Sequence, residues 1–302
     1  MSTHSFSHRE EYRKQKRRTR HLRVVLVSVF FVALVALASY VAHRSSLRVS
    51  QVVLSGGILV SSDAVASETT SFLSGSYFFL FPKNNIFLYP RAGLEADLKA
   101  KFQRIATISV GRGGNLHTLV VTITERTPSA LWCEGDPTTA TSTTDVSTCF
   151  FMDDTSTIFA QAPSFSGDAY FKYYGDVSST TPISANPIGQ QYIASSTLFA
   201  DVSRFVESVR TLDIRPQYLV TNDVDDFTLE LAGGGKIYID TDEPLTKASQ
   251  NLQALLQRTP SLTLSTTRDL PVDYIDLRYG NKLFYKLSGT SIISENATST
   301  KI

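Results

Sequence analysis

The two cysteines are the residues whose type and spacing could most readily support chemistry. Cys133 and Cys149 flank fifteen residues, of which eight are Ser or Thr, and each cysteine adjoins an aromatic residue in a predicted strand. A thiolate activated by a nearby His and Arg is a transpeptidase nucleophile, and Cys149 with His117 would be the candidate pair. Two cysteines that close a hairpin in an oxidising compartment instead form a disulfide. We favour the disulfide interpretation and keep the catalytic one as its alternative.

Few other residues could support catalysis or metal binding. Four of the five His lie in the first 43 residues, which leaves His117 for the predicted folded part. A Ser/His/Asp triad or a His-rich metal site would therefore have almost no histidine to use. Adjacent acids such as Asp153-Asp154 and Asp225-Asp226 lie in predicted turns, where solvated carboxylates are the default. The sequence predicts no catalytic residue, no metal and no cofactor.

The charge pattern indicates membrane attachment rather than nucleic-acid binding. Residues 1–23 carry eight Lys or Arg and two Glu, so this tail has a net charge of +6 and the remainder −5. The next nineteen residues, 24–42, carry no charge, and as a helix they would span about 28 Å, close to the hydrocarbon thickness of a bilayer. The positive-inside rule places the tail in the cytoplasm. We predict a basic cytoplasmic tail over 1–23 and an uncleaved transmembrane helix over 24–43, with a cleaved signal peptide as the alternative.

The remaining chain is predicted to form two α+β domains outside the cytoplasm. Residues 47–126 follow the order β-α-α-β-β, and the aromatic run 77–81 is predicted as the buried link between the two helices, partly facing the membrane surface. Residues 127–288 are predicted as a mostly antiparallel β domain with flanking helices. Residues 289–302 are polar and are predicted to be disordered.

Several strings in this chain resemble, in order, the FtsQ/DivIB family of bacterial cell-division proteins. The first is VSQVVLSG at 49–56, and the second is NIFLY at 85–89. The most specific are LVVTITERTPSALW at 119–132 and IDLRY at 275–279. Together with the basic tail and the single span, the resemblance covers about residues 20–288.

The resemblance implies a POTRA domain at 47–126, followed by the β domain, with the chain anchored in the inner membrane by one span. It also implies a non-enzymatic scaffold of the division machinery, the divisome, located at the septum. The implied partners are FtsB- and FtsL-like single-span proteins, other divisome components and inner-membrane lipid. We expect neither nucleic acid nor a small-molecule substrate among its ligands.

A partner site is predicted at the last two strands, 274–279 and 282–287. If the second of these is a sheet edge, its unpaired backbone groups invite the addition of a partner strand. Arg278 is predicted either to pair with an acidic partner residue or to form a structural ion pair with Asp276 or with a neighbouring strand. By resemblance, Tyr279 is a contact, and the following strand supplies its neighbours. The candidate partner-binding residues are Arg278, Tyr279, Leu283, Phe284 and Tyr285.

Two other classes of protein remain as alternatives. A membrane-tethered cell-wall transpeptidase or hydrolase would need a cluster of His, Cys and Arg, or of carboxylates, in one pocket. A POTRA-bearing secretion or outer-membrane assembly component would normally carry several POTRA units or a β-barrel.

Overall fold

A computed structural model describes residues 6–135, 137, 148–164, 169–177, 186–223, 225–259, 262, 269–289 and 300–301. The fold is α+β, and the chain divides into two units, residues 1–125 and 126–302. The division lies one residue before the boundary that the sequence predicts. Unit 1 contains, in chain order, α1 (Phe6–Ala42), β1 (Gln51–Ser55), α2 (Ser62–Phe72), β2 (Ser76–Tyr77), β3 (Phe81–Pro82), α3 (Arg91–Lys101), β4 (Ile105–Arg112) and β5 (Thr118–Glu125).

Helix α1 includes one stretch, Arg18–Ala42, that is long and apolar enough to cross a membrane. Its large apolar side chains are exposed, for example Phe30 at 70 %. The helix is longer than the predicted span because it continues through the basic tail, where Lys, Arg, Gln and Glu are good helix formers and Gly and Pro are absent. The amide of Asn85 donates to the carbonyl of Ala42 over 2.9 Å, so a buried side chain satisfies one of the free carbonyls at the helix end.

A three-stranded sheet with the order β1-β5-β4 forms the centre of unit 1. Strand β1 runs parallel to β5, and β4 pairs with β5 in antiparallel register. Apolar residues at helical spacing in α2 and α3 pack with alternate strand residues to form one core. Its buried members include Val65, Leu94, Leu98, Ile105, Val110, Leu119, Val121 and Ile123.

A short hairpin between α2 and α3 differs from the sequence prediction. Strands β2 and β3 pair through two residues each, and the turn between them carries Phe78 and Phe79. These side chains are 90 % and 97 % exposed, so the prediction that 77–81 is a buried link is wrong for the centre of this run. The reason is that the three-residue connection, 78–80, lies at the end of the hairpin, where the side chains of Phe78 and Phe79 point to solvent.

Glu125 holds the loop that follows β1. Its Oε1 accepts hydrogen bonds from the backbone N–H groups of Ile58, Leu59 and Val60, each at 2.8 Å. The turn into this loop needs Gly56, whose φ is 87° and where an added Cβ would lie 2.2 Å from the carbonyl oxygen of Ile123. Partial burial raises the pKa of Glu125, but the three N–H donors together lower it by more than burial raises it. The pKa of Glu125 therefore lies below its ordinary value.

Unit 2 is built on a ten-stranded sheet with the order β15-β14-β13-β12-β11-β10-β9-β6-β7-β8. The strands and helices, in chain order, are β6 (Ala130–Cys133), β7 (Cys149–Met152), β8 (Ile158–Gln161), β9 (Lys172–Tyr174), α4 (Ser196–Thr211), β10 (Pro216–Asp223), β11 (Asp226–Leu231), β12 (Lys236–Asp240), α5 (Leu245–Arg258), β13 (Val272–Tyr279), β14 (Lys282–Leu287) and β15 (Thr300–Lys301). Most pairs are antiparallel, and three are parallel: β9 with β6, β9 with β10, and β12 with β13.

One face of this sheet is covered by helices α4 and α5. The apolar stripe of α4 includes Phe199, Val202 and Phe205, and that of α5 includes Leu252 and Leu255. These side chains share one core with inward residues of the strands. The helices therefore leave the opposite face of β11 to β14 free for polar and aromatic side chains.

Cys133 and Cys149 form a disulfide, with Cα atoms 4.1 Å apart. They stand directly opposite each other in the antiparallel register of β6 and β7, which brings the two side chains together on one face. The bond joins two neighbouring strands and connects the two ends of the Ser- and Thr-rich segment 134–148.

Two residues of the segment after β14 form a short strand. Thr300–Lys301 pairs with Lys282 and Leu283 at the edge of the sheet, so the prediction of disorder over 289–302 is wrong for these two residues. Backbone pairing at an open edge needs no apolar side chains, which is why composition did not indicate it. Residues 290–299 lie outside the described part of the chain.

Replacing Glu125 with Ala is expected to lower the free energy of unfolding of unit 1 by about 2 kcal/mol, because three loop N–H groups lose a charged acceptor. Glu125→Gln is the matched control, since it keeps a neutral acceptor oxygen and costs less. Because the folded pKa is lowered, the stabilisation is complete above the ordinary carboxyl pKa of about 4.3 and is lost as pH falls through the folded value. Hydrogen-exchange protection of the backbone amides of residues 58–60 should therefore fall as the pH is lowered in the wild type, but not in the Glu125→Gln variant. Equal acid sensitivity of both proteins would contradict this account.

Candidate partner-binding site

A groove lies on the free face of the sheet, over strands β12, β13 and β14. It encloses about 740 Å³. Residues of β13 alternate across the sheet, so that Ile275 and Leu277 enter the core while Asp276 and Arg278 line the groove. The full lining is Tyr238, Tyr274, Asp276, Arg278, Tyr279, Lys282 and Phe284. Three of the five predicted partner-binding residues thus lie together in one groove.

Arg278 is held by two carboxylates. Its Nε and Nη2 donate to the two oxygens of Asp276 at 2.9 and 2.8 Å, and its Nη1 donates to Asp226 at 3.2 Å. The guanidinium also lies 5.2 Å from the ring centre of Tyr238. The hydrogen bond to Asp276 is the main cause that raises the pKa of Arg278 above its ordinary value. Of its two predicted roles, the structure therefore shows the ion pair with Asp276.

Tyr279 and Phe284 form an aromatic pair at the rim of the groove. Their ring centres are 5.3 Å apart and their planes are almost perpendicular, the edge-to-face arrangement that aromatic rings prefer. Tyr279 is 57 % exposed, at a point where the register of β13 and β14 shifts before the turn at Gly280. The pair therefore presents apolar surface and a phenol hydroxyl to solvent beside a sheet edge.

Leu283 and Tyr285 lie on the other face of β14. Leu283 is fully buried, and Tyr285 packs against the same core beneath the helices. A strand sends successive side chains to opposite faces, so Phe284 can line the groove only if its two neighbours turn inward. The prediction that the side chains of Leu283 and Tyr285 join the contact surface with Phe284 is wrong, although their backbones remain part of the edge.

The outer edge of β14 is half covered. The two residues of β15 pair with Lys282 and Leu283. Within the described ranges, no strand pairs with the stretch from Phe284 to Leu287 on that side. Among the described residues, the outward backbone N–H and C=O groups of this stretch therefore have no strand partner, which is the arrangement that strand addition requires.

Two of the residues that the sequence analysis considers for catalysis have structural roles. The thiol that a transpeptidase would take from Cys149 is consumed in the disulfide with Cys133. Asp153 accepts from Arg126 and from the backbone of Thr155 and Thr157, so it serves a turn. Among the residues that the structure describes, no group of three or more His, Cys, Asp or Glu could hold a metal ion.

The most specific string of the sequence, 119–132, has structural roles in both units. Glu125 bonds the loop at 58–60 in unit 1, and Arg126 forms an ion pair with Asp153 in unit 2. The indole of Trp132 donates to the carbonyl of Gly175 over 3.0 Å. Each of these polar groups is satisfied within its own unit, so the string stabilises the fold.

Comparison with known proteins adds no relative: no family model matches the sequence, and no curated protein matches it. The structure itself defines an α+β chain with one helix able to span a membrane, and a sheet in which β14 lies beside an aromatic groove and residues 284–287 of β14 have no outer strand partner among the described residues.

Replacing Arg278 with Ala is expected to lower the free energy of unfolding of unit 2 by about 2 kcal/mol, since it leaves the buried Asp276 carboxylate without its partner. Arg278→Lys should recover part of this loss, because an ammonium cannot bond both Asp276 oxygens and Asp226 at once. Denaturant unfolding followed by the fluorescence of Trp132, which lies in unit 2, measures the effect. Lys282→Ala, in the same groove, is the control. Stability unchanged in both Arg278 variants would contradict a structural role.

Proposed function

We propose that this protein is a non-enzymatic scaffold of the bacterial division machinery, similar to the FtsQ/DivIB family. In this proposal α1 crosses the inner membrane once, residues 1–23 lie in the cytoplasm, and both units lie outside it. The strings at 119–132 and 275–279 support the proposal, as does the basic tail before an apolar helix. Apart from α1 and the short β2–β3 hairpin, unit 1 has the order β-α-α-β-β, which supports the POTRA domain that the resemblance implies.

The observation that carries the proposal is the free stretch of β14 beside the Tyr279–Phe284 pair. An extended segment of an FtsB- or FtsL-like protein would pair with the backbone of residues 284–287 and extend the sheet by one strand. Alternate side chains of the added strand would lie over the groove face, where the aromatic pair supplies apolar contact. Backbone bonds would provide affinity, and the groove would provide selectivity.

The groove is suited to binding because the two charged groups of its floor, Arg278 and Asp276, are already paired with each other. The ion pairs of Arg278 hold the floor of the groove without help from a ligand. A partner strand would therefore meet a preorganised surface and would not have to order it, which lowers the entropic cost of association.

Replacing both Tyr279 and Phe284 with Lys is expected to weaken capture of an FtsB-like protein on the order of tenfold or more, because central aromatic contacts dominate such interfaces. Pull-down with the purified full-length chain measures this. Glu207→Lys, on the helical face of unit 2 where the side chain is 64 % exposed, is the matched control and should leave capture unchanged.

The same assay tests the edge of β14 directly. A chain without residues 300–302 should capture more partner, because Lys282 and Leu283 would then be free to pair as well. If the double Lys variant binds as the wild type does, the groove is not the partner surface.

A fluorescent protein fused before residue 1 is expected to form a ring at mid-cell, since the proposal places the chain at the septum. Deletion of residues 13–42 removes most of the basic charge and the apolar helix, and should abolish the ring. Fluorescence microscopy of dividing cells measures this, with the Glu207→Lys chain as a control that keeps both segments and leaves the groove unchanged. An even envelope signal from the full-length fusion would refute the septal assignment.

A further inference from the structure

The hairpin of β2 and β3 exposes a cluster of apolar side chains in unit 1. Phe78 and Phe79 are 90 % and 97 % exposed, and the next residue, Leu80, is 43 % exposed. Single exposed apolar residues are common on protein surfaces, but two adjacent phenyl rings that are almost fully exposed are not. These three residues, here called the hairpin tip, therefore need an explanation other than packing.

The backbone of the hairpin tip makes these residue types still less expected. Phe78 and Phe79 have φ values of 49° and 62°, and the N–H of Leu80 donates to the carbonyl of Tyr77 over 2.9 Å. Three residues, 78–80, connect the two strands, and two successive positive φ angles at 78 and 79 favour Asn and Gly, whereas bulky side chains are disfavoured there. The phenyl rings thus contribute neither burial within unit 1 nor a favourable turn conformation.

The position of the hairpin tip indicates what covers it. The hydroxyl of Ser39 donates to the carbonyl of Leu80 over 2.6 Å, and Ser39 belongs to the apolar stretch of α1. Ser39 lies three residues before the helix end, which corresponds to about 5 Å along the axis. If α1 crosses a membrane, the backbone of Leu80 therefore lies near the level at which the hydrocarbon meets the head groups.

The surroundings of the hairpin tip match a membrane interface. Arg44 lies over the ring of Tyr40 at 5.3 Å, and Lys83 lies over the ring of Tyr77 at 5.8 Å. Aromatic rings that pair with cations are typical of the boundary between acyl chains and anionic head groups. The bond from Asn85 to Ala42 fixes the segment after the hairpin to the same helix end.

We propose that the hairpin tip inserts into the interfacial region of the bilayer that α1 crosses, with lipid as the surface that covers Phe78, Phe79 and Leu80. The inference rests on the membrane span of the proposed function. It adds a second attachment of unit 1 beside α1, so that unit 1 is held against the membrane and does not rotate freely about one helix.

The test uses single labels in the full-length chain, reconstituted in phosphatidylcholine–phosphatidylglycerol vesicles. Both native cysteines are bonded to each other, so a cysteine introduced by substitution is the thiol that a maleimide fluorophore labels. Labels are placed by Phe79→Cys at the tip, by Phe31→Cys in α1, and by Ile58→Cys. Ile58 is 90 % exposed in unit 1 and serves as the matched control.

Quenching by nitroxide lipids and by aqueous iodide then reports the depth of each label. We expect the label at 79 to be quenched by a nitroxide near the head group and to be several-fold less accessible to iodide than the label at 58. If lipid quenches the label at 31 but iodide reaches the label at 79 freely, the inference is wrong and the membrane span still holds. Failure of lipid to quench the label at 31 would overturn the span and the inference together. If the label at 79 is protected from iodide but is not quenched by lipid, the hairpin tip is covered by protein. That result would also overturn the inference.

A second variant separates membrane insertion from a structural role. Phe78→Asn with Phe79→Gly introduces the residues that this turn favours and removes both rings. We expect its unfolding temperature to stay equal or rise, while a label introduced by Leu80→Cys becomes several-fold more accessible to iodide than in the parent. A marked fall in unfolding temperature would show that the rings stabilise the fold, and would overturn the inference.

Discussion

The alternation of side chains along β13 and β14 is the constraint on which the candidate site depends. Because α4 and α5 cover one face of the sheet, Ile275, Leu277 and Leu283 must enter the core. Their neighbours are thereby directed to the free face, where Asp276 and Phe284 line the groove. A shift of one residue in either strand would exchange the two sets and bury a charged residue, so the hydrophobic core sets the composition of the groove.

The burial of Asp276 explains why an arginine, Arg278, lies beside it on the same face of β13. A carboxylate at a site that is 7 % exposed needs a charged partner, and the planar guanidinium provides two parallel hydrogen bonds. The third nitrogen bonds to Asp226 on a strand two positions away in the sheet, so one side chain joins β11 to β13 across β12. The groove floor is thus held by hydrogen bonds that span three strands, which suits the proposed addition of a partner strand.

In unit 1 as well, one side chain bonds several groups at once. Here a buried or half-buried side chain satisfies several backbone groups. Glu125 accepts three loop N–H groups, while Asn85 bonds to the end of α1 and its Oδ1 accepts from the N–H of Phe87. These bonds fix the backbone of two segments that each place one side chain, Val60 and Ile86, against the core. They also hold the β2–β3 hairpin beside the helix end, which is the geometry behind the proposed second membrane attachment.

Local patterns in the sequence determined the apolar helix and the apolar stripes of α3, α4 and α5, because each depends on residues close in the chain. The pairing of the two cysteines followed from simple counting, since neither has another possible partner. The tertiary structure alone decided the position of β9, which lies in a stretch rich in Pro, Gly and Ser and joins β6 to β10 by parallel pairing. It also decided that Leu283 and Tyr285 face the core, that β15 covers half of the edge, and that Phe78 and Phe79 are exposed. Each of these follows from contacts between segments distant in sequence, which no local periodicity records.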